Sequence, residues 1–92
     1  MQASPFELLA DNALLELSVI LEENDDLEVS YEDGVLNIDS PQGGYTVNRH
    51  SVSQEIWFSS PISGVKYFKL QEGEWKEKRT GEILREALLS EF

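Results

Sequence analysis

The sequence has no cysteine, one histidine and no basic residue before position 49. Without thiols there is no disulfide, no thiolate zinc or iron–sulfur ligation and no cysteine nucleophile. A single His excludes any multi-histidine metal site. Apolar runs are short: Glu16 and the Glu22-Glu23 pair interrupt the longest one well before the roughly 18 residues a membrane span requires. No Gly-rich phosphate loop is present either, because Gly43-Gly44 is followed by neither a helix nor a Lys. Low cation content does not make the chain a disordered acidic tail. Hydrophobic residues make up 40%, including two Trp, three Tyr and four Phe, enough for one core. At 92 residues a single domain spanning 1–92 is expected.

Charge is distributed unevenly. Eighteen acidic and seven basic residues give a net −11; residues 1–48 hold eleven carboxylates and no Lys or Arg, while residues 49–92 hold seven of each sign. The field of the first half repels nucleic acid and anionic lipid and favours metal cations or a basic protein surface. It also differs from an Arg-rich transit peptide or a signal peptide with a basic start.

Periodicity supplies the elements. Ser4 reads as an N-cap with Pro5 at the first helical position. Phe6, Leu9, Ala10, Ala13, Leu14, Leu17, Ile20 and Leu21 then recur on one face of a helix of about five turns. Leu8, Leu15 and Val19 form a second apolar stripe on the far side, either scattered surface aliphatics or a weak contact surface. Residues 27–39 read as a hairpin about Asp33-Gly34, a register that pairs Tyr31 with Leu36 and Val29 with Ile38. Four further strands follow: one carrying Tyr45 and Val47, then Gln54–Ser59, Val65–Leu70 and a short one around Trp75. Thr80-Gly81-Glu82 is expected to start a closing helix, capped by Thr80, with Ile83, Leu84, Ala87 and Leu88 on its inner face. The order predicts an α+β fold: one antiparallel sheet of about six strands, packed on one face by N- and C-terminal helices.

Two groups of residues could carry chemistry. Glu22, Glu23, Asp25, Asp26, Glu28, Glu32 and Asp33 place seven carboxylates in twelve residues. Such a ridge suits hard or borderline cations, held weakly and at several positions, although a solvated acidic face is the plain alternative. Trp57, flanked by the inward Ile56 and Phe58, points outward with Glu55 and Ser59, near Asn48 and His50. An exposed indole there suits a partner-binding anchor, the alternative being an indole covered by its own neighbours. His50 reads as a solvated polar residue, and Trp75 as a core or edge residue. No catalytic constellation is apparent.

The runs Gly44-Tyr45-Thr46-Val47-Asn48-Arg49, Glu55-Ile56-Trp57-Phe58-Ser59-Ser60-Pro61 and Ser63-Gly64 resemble the signature of frataxins. Phe6 with Leu9-Ala10-Asp11, Asp33-Gly34-Val35-Leu36 and Gly73-Glu74-Trp75 extend the resemblance over almost the whole chain. The Ser-Ser-Pro-x-Ser-Gly run is more like that of mitochondrial and α-proteobacterial members than of enterobacterial ones. The resemblance implies an α–β sandwich and a role in iron–sulfur cluster assembly. It implies weak binding of Fe²⁺ and Fe³⁺ on an acidic ridge, carried over here to Asp11, Glu22, Glu23, Asp25, Asp26 and Glu28. It also implies docking on the complex of cysteine desulfurase and iron–sulfur scaffold protein through Asn48, Glu55 and Trp57, with Arg49 beside them. No nucleic-acid or membrane partner is expected. The state would be a monomer or an iron-dependent oligomer, and ferroxidase or iron-storage activity stands as the alternative function. Several positions depart from the family pattern: Ser18 and Val19 where further acids are common, Glu55 and His50 where Gln is common, and Val52 where Pro is typical. With Met1 first and no presequence visible, the resemblance implies a bacterial cytoplasmic protein or a mature chain of the mitochondrial matrix or a related organelle.

Overall fold

The structure, a computed structural model, describes residues 5–92. The expected Ser4 cap lies outside them. The first helix, α1 (Pro5–Glu22), has the length that the apolar spacing predicts. Its inner stripe of Phe6, Ala10, Leu14, Leu17 and Leu21 is buried, each large side chain contributing about 1.5–3 kcal/mol of transfer free energy. Leu9, expected on that stripe, is 46% exposed. It borders a shallow depression together with Phe6, Gln54, Lys69 and Leu70. Leu8, Leu15 and Val19 are exposed on the opposite side.

Strands β1 (Glu28–Glu32), β2 (Val35–Ser40), β3 (Gly43–His50), β4 (Glu55–Ser60), β5 (Gly64–Gln71) and β6 (Glu74–Glu77) pair in sequence order as one antiparallel sheet. The first hairpin has the expected register, Tyr31 opposite Leu36 and Val29 opposite Ile38. Both turn residues are left-handed, Asp33 at φ 50° and Gly34 at φ 77°, which matches the twist of a two-residue hairpin. One face of the sheet contributes Leu36, Ile38, Tyr45, Val47, Ile56, Phe58, Phe68 and Trp75 to the core. Trp75 is a core residue, its ring meeting Phe6 edge-on at 5.8 Å. α1 covers β1, β2 and β3 on this face, and the closing helix α2 (Leu84–Leu89) lies against β6.

α2 starts later than Thr80. Ile83 is extended (φ −82°, ψ 133°) and forms an antiparallel bridge with Lys76, so the chain cannot turn helical before Leu84. The Thr80 hydroxyl instead accepts from the Glu82 N–H at 3.2 Å, closing a turn ahead of the helix. Glu82 pairs with Lys66 at 3.0 Å.

Candidate functional site

α1 runs out at Glu22, and a tight corner returns the chain into β1. The Asn24 side-chain oxygen accepts from the Asp26 N–H at 2.9 Å, and the Asn24 carbonyl accepts from the Leu27 N–H at 3.1 Å. This Asx-type turn spreads Glu22, Glu23, Asp25, Asp26 and Glu28 outward, and all five are exposed. Among the described residues, no ion pair reaches any of them. Nor do any three His, Asp or Glu side chains among the described residues converge as a ready-made metal cage. The surface offers many carboxylate oxygens and little fixed geometry.

Asp11 and Arg49 stand differently from the expectation. Arg49 shares its parity on β3 with the inward Tyr45 and Val47, so it lies on the helix side of the sheet, opposite to the face of Asn48 and Trp57. There its guanidinium pairs with Asp11, which also accepts from the Tyr31 hydroxyl, and approaches Glu7 at 3.9 Å. Asp11 is thus already neutralised by a cation and set apart from the acids at the α1–β1 corner. Burial lowers the Arg49 pKa, but the Asp11 hydrogen bond and the Asp11 and Glu7 charges outweigh it and leave the pKa raised. Burial, reinforced by Asp11, pushes the Tyr31 phenol up to about 12. Gly34 makes room for this clamp: a Cβ there would lie 2.7 Å from Arg49 Nε, and its carbonyl accepts from the Arg49 N–H at 3.0 Å.

On the open face, Trp57 is half-buried and held on three sides. The His50 ring stacks on it at 3.4 Å between centroids, Tyr67 meets it edge-on at 5.1 Å, and its Nε1–H donates to Glu55 at 3.0 Å. Asn48 Nδ2 donates to His50 Nε2 at 3.1 Å. Asn48, Trp57 and Tyr67 lie side by side across β3, β4 and β5. Glu55, expected to be exposed here, is only 6% exposed, because Trp57 and the Lys78 ammonium, 2.7 Å away, cover it. The Lys78 hydrogen bond dominates against burial, helped by the Trp57 N–H and the charges of Lys78 and Lys69, and holds Glu55 below the usual carboxylate range. The indole is therefore preorganised, with little rotamer entropy left to lose on binding.

The sequence places His50 near Trp57 but as a solvated residue, whereas it stacks on the indole; Tyr67 and Lys78 are further members of this arrangement, and Glu77 is a buried carboxylate on the other parity of β6. Tyr67 had a usable signal: alternation with Phe68 and the Ser60–Gly64 turn place it directly opposite Trp57. Glu77 is 3% exposed and accepts from the N–H groups of Arg79 at 2.9 Å and Thr80 at 3.1 Å. Burial raises its pKa, but these backbone donors and that of Tyr67 prevail and lower it.

A pH dependence follows from Glu55 and Glu77. Both folded-state values are depressed below the ordinary 4.5, so their contribution is present above that value and is lost as pH falls through the folded ones. Glu77→Gln should cost about 1–2 kcal/mol at neutral pH, with the gap to the wild type closing below about pH 4. Urea unfolding of both proteins across pH 3–7 checks this; a gap independent of pH would contradict it.

The Frataxin-like domain family profile matches residues 1–92. The chain is 35% identical over 97 residues to the mitochondrial frataxin of Caenorhabditis elegans, covering 95% of this chain and 71% of that protein. It is 38% identical over 92 residues to the mitochondrial frataxin of Dictyostelium discoideum, covering 95% of this chain and 46% of that one. The Drosophila melanogaster frataxin homolog is 36% identical, and the chain covers 45% of its length. The chain thus spans less than half of these last two relatives. Among solved structures, trimeric frataxin from Saccharomyces cerevisiae complexed with ferrous iron matches with a TM-score of 0.77 at 30% identity, covering 99% of this chain and 84% of that chain. Frataxin from Psychromonas ingrahamii shares the fold, with a TM-score of 0.83 at 20% identity over 99% of this chain and 87% of that chain. No helix among the described residues is long and apolar enough to cross a membrane. With the family profile matched over its whole length and a relative at this identity, the chain belongs to the frataxin family.

Proposed function

We propose that this protein is an iron-binding regulator and iron donor in iron–sulfur cluster assembly. Fe²⁺ and Fe³⁺ are its cargo, held weakly by Glu22, Glu23, Asp25, Asp26 and Glu28, and the open sheet face around Asn48, Glu55 and Trp57 docks on the desulfurase–scaffold complex. The observation that carries the reading is the corner between α1 and β1: five exposed carboxylates with no cation partner among the described residues, in a protein whose family includes a member solved with ferrous iron. Oxygen donors without fixed geometry favour labile, multi-site binding of hard or borderline cations, which suits delivery better than retention. A ferroxidase centre would need several fixed donors around one metal; the described residues offer no such cluster. Asp11, engaged by Arg49 and Tyr31, stands outside the cargo surface.

Anaerobic calorimetric titration with Fe²⁺ tests the ridge. The quadruple variant Glu22→Gln, Glu23→Gln, Asp25→Asn, Asp26→Asn should bind at least about tenfold more weakly, whereas Asp11→Asn should leave the isotherm unchanged. Relieving like-charge repulsion should also raise the melting temperature of the quadruple variant at low salt, an increment that shrinks at high salt. Unchanged iron binding by the quadruple variant would remove the ridge from the function.

A further inference from the structure

Basic residues are scarce, seven against eighteen acidic ones, so a cation without a carboxylate partner stands out. Arg49, Lys66, Lys78 and Arg85 each lie within 4.0 Å of a carboxylate. Lys69 on β5, Lys76 on β6 and Arg79 in the turn that follows take part in none of these ion pairs among the described residues, and the register sets the two lysines directly opposite each other. Like charges opposed across an antiparallel ladder destabilise the sheet. Lysine on an edge strand guards against edge-to-edge association, which accounts for Lys76 on β6 but not for Lys69 on the interior strand β5.

Phe68 and Trp75 are buried in the core, so period two turns both lysines toward the open face, beyond Tyr67 and Trp57. Lys69 lies opposite Glu55, but that carboxylate is already engaged by Lys78 and the Trp57 N–H. At the other edge the same face ends in the exposed Glu28, Glu32 and Asp39. The open face therefore changes character across the sheet: carboxylates over β1–β2, amides and aromatic rings in the middle, and the Lys69 and Lys76 ammonium groups over β5–β6, with Glu74 at the start of β6.

We propose that the Lys69–Lys76 pair is a docking subsite for an acidic surface segment of the partner protein that seats on Trp57, and that it fixes the direction in which the partner lies across the sheet. The proposal rests on the reading above that the open face is the docking face. Carboxylates laid over β5–β6 neutralise a repulsion that the free chain sustains. The same carboxylates are repelled from the β1–β2 edge and from most of a surface with net charge −11. One orientation is favoured and its reverse is penalised at both ends.

The test compares binding to the desulfurase–scaffold complex for wild type, Lys76→Glu, the double variant Lys69→Gln/Lys76→Gln, and Trp57→Ala. Lys76→Glu places opposite charges across the ladder, so its melting temperature should hold or rise, and lost binding cannot then be ascribed to unfolding. Both lysine variants should bind about tenfold more weakly at low salt, by slower association, with the difference shrinking as salt rises. Lysine variants that bind like wild type while Trp57→Ala is weakened would overturn the acidic-segment proposal and leave the docking face standing. Weakened lysine variants beside an unaffected Trp57→Ala would uphold the subsite and remove the indole from the contact. Displacement of the complex by a single-stranded oligonucleotide competing for the lysines would reassign the patch to nucleic acid and overturn the proposal, and so would the absence of any binding by wild type.

Discussion

If the open sheet face docks as proposed, replacing Trp57 by Ala should weaken binding to the desulfurase–scaffold complex about a hundredfold, some 2–3 kcal/mol, the range of a central aromatic anchor. The reason is geometric. The indole is clamped between His50 and Tyr67 and tied to Glu55, so it presents a rigid apolar surface whose ordering precedes binding. The substitution also unstacks His50 and removes one donor from the buried Glu55, which should cost about 1–2 kcal/mol of stability. Trp57→Phe helps to separate the two effects, because it keeps a smaller aromatic face for His50 while losing the N–H to Glu55. It should fold nearly as well as wild type and retain most of the binding. Surface-based binding kinetics paired with thermal melts for the three proteins provide the check. Equal binding by Trp57→Ala and wild type would make the indole a purely structural residue.

The second large effect concerns stability. Arg49→Met should cost about 2–3 kcal/mol, because it leaves the half-buried Asp11 without its cation beside Tyr31. Asp11→Asn alone should cost less, and the double variant should lose clearly less than the sum of the two single losses, since the partners act as one unit. Urea unfolding of the four proteins yields the coupling energy directly. Strict additivity would show that Arg49 stabilises through its aliphatic stem against Gly34 and not through the ion pair.

This clamp also shows where sequence reasoning succeeded and where it stopped. The first hairpin was legible because Asp33-Gly34 admits one two-residue turn, and the turn dictates every pairing up to Val29 with Ile38. The same period of two that turns Trp57 outward also turns Arg49 inward, with Tyr45 and Val47. The resemblance sets Arg49 beside Asn48, Glu55 and Trp57, but consecutive residues of a strand face opposite ways, so Arg49 lies on the other side of the sheet from Asn48. The acids at the α1–β1 corner were legible as a group because they are consecutive. Asp11 does not belong with them, since its partners Tyr31 and Arg49 lie 20 and 38 residues away and no local pattern reveals them. The burial of Glu55 and Glu77 was hidden for a related reason. Each is solvated or covered depending on Lys78 or on the 78–81 turn, and composition cannot place those above a particular carboxylate. Thr80 does not cap the helix, because the bridge between Ile83 and Lys76 holds the chain extended past it, a tertiary contact overriding a local signal.

The open sheet face and the acidic corner occupy different parts of one small molecule, and the function proposed here requires both to be used with the assembly machinery. Titration of the wild-type protein into its cognate desulfurase–scaffold complex, under anaerobic conditions with and without Fe²⁺, measures that requirement directly. Saturable binding is expected in both cases, with a different heat or affinity when Fe²⁺ occupies the ridge. No binding under either condition would contradict the proposed function and shift it to iron oxidation or storage.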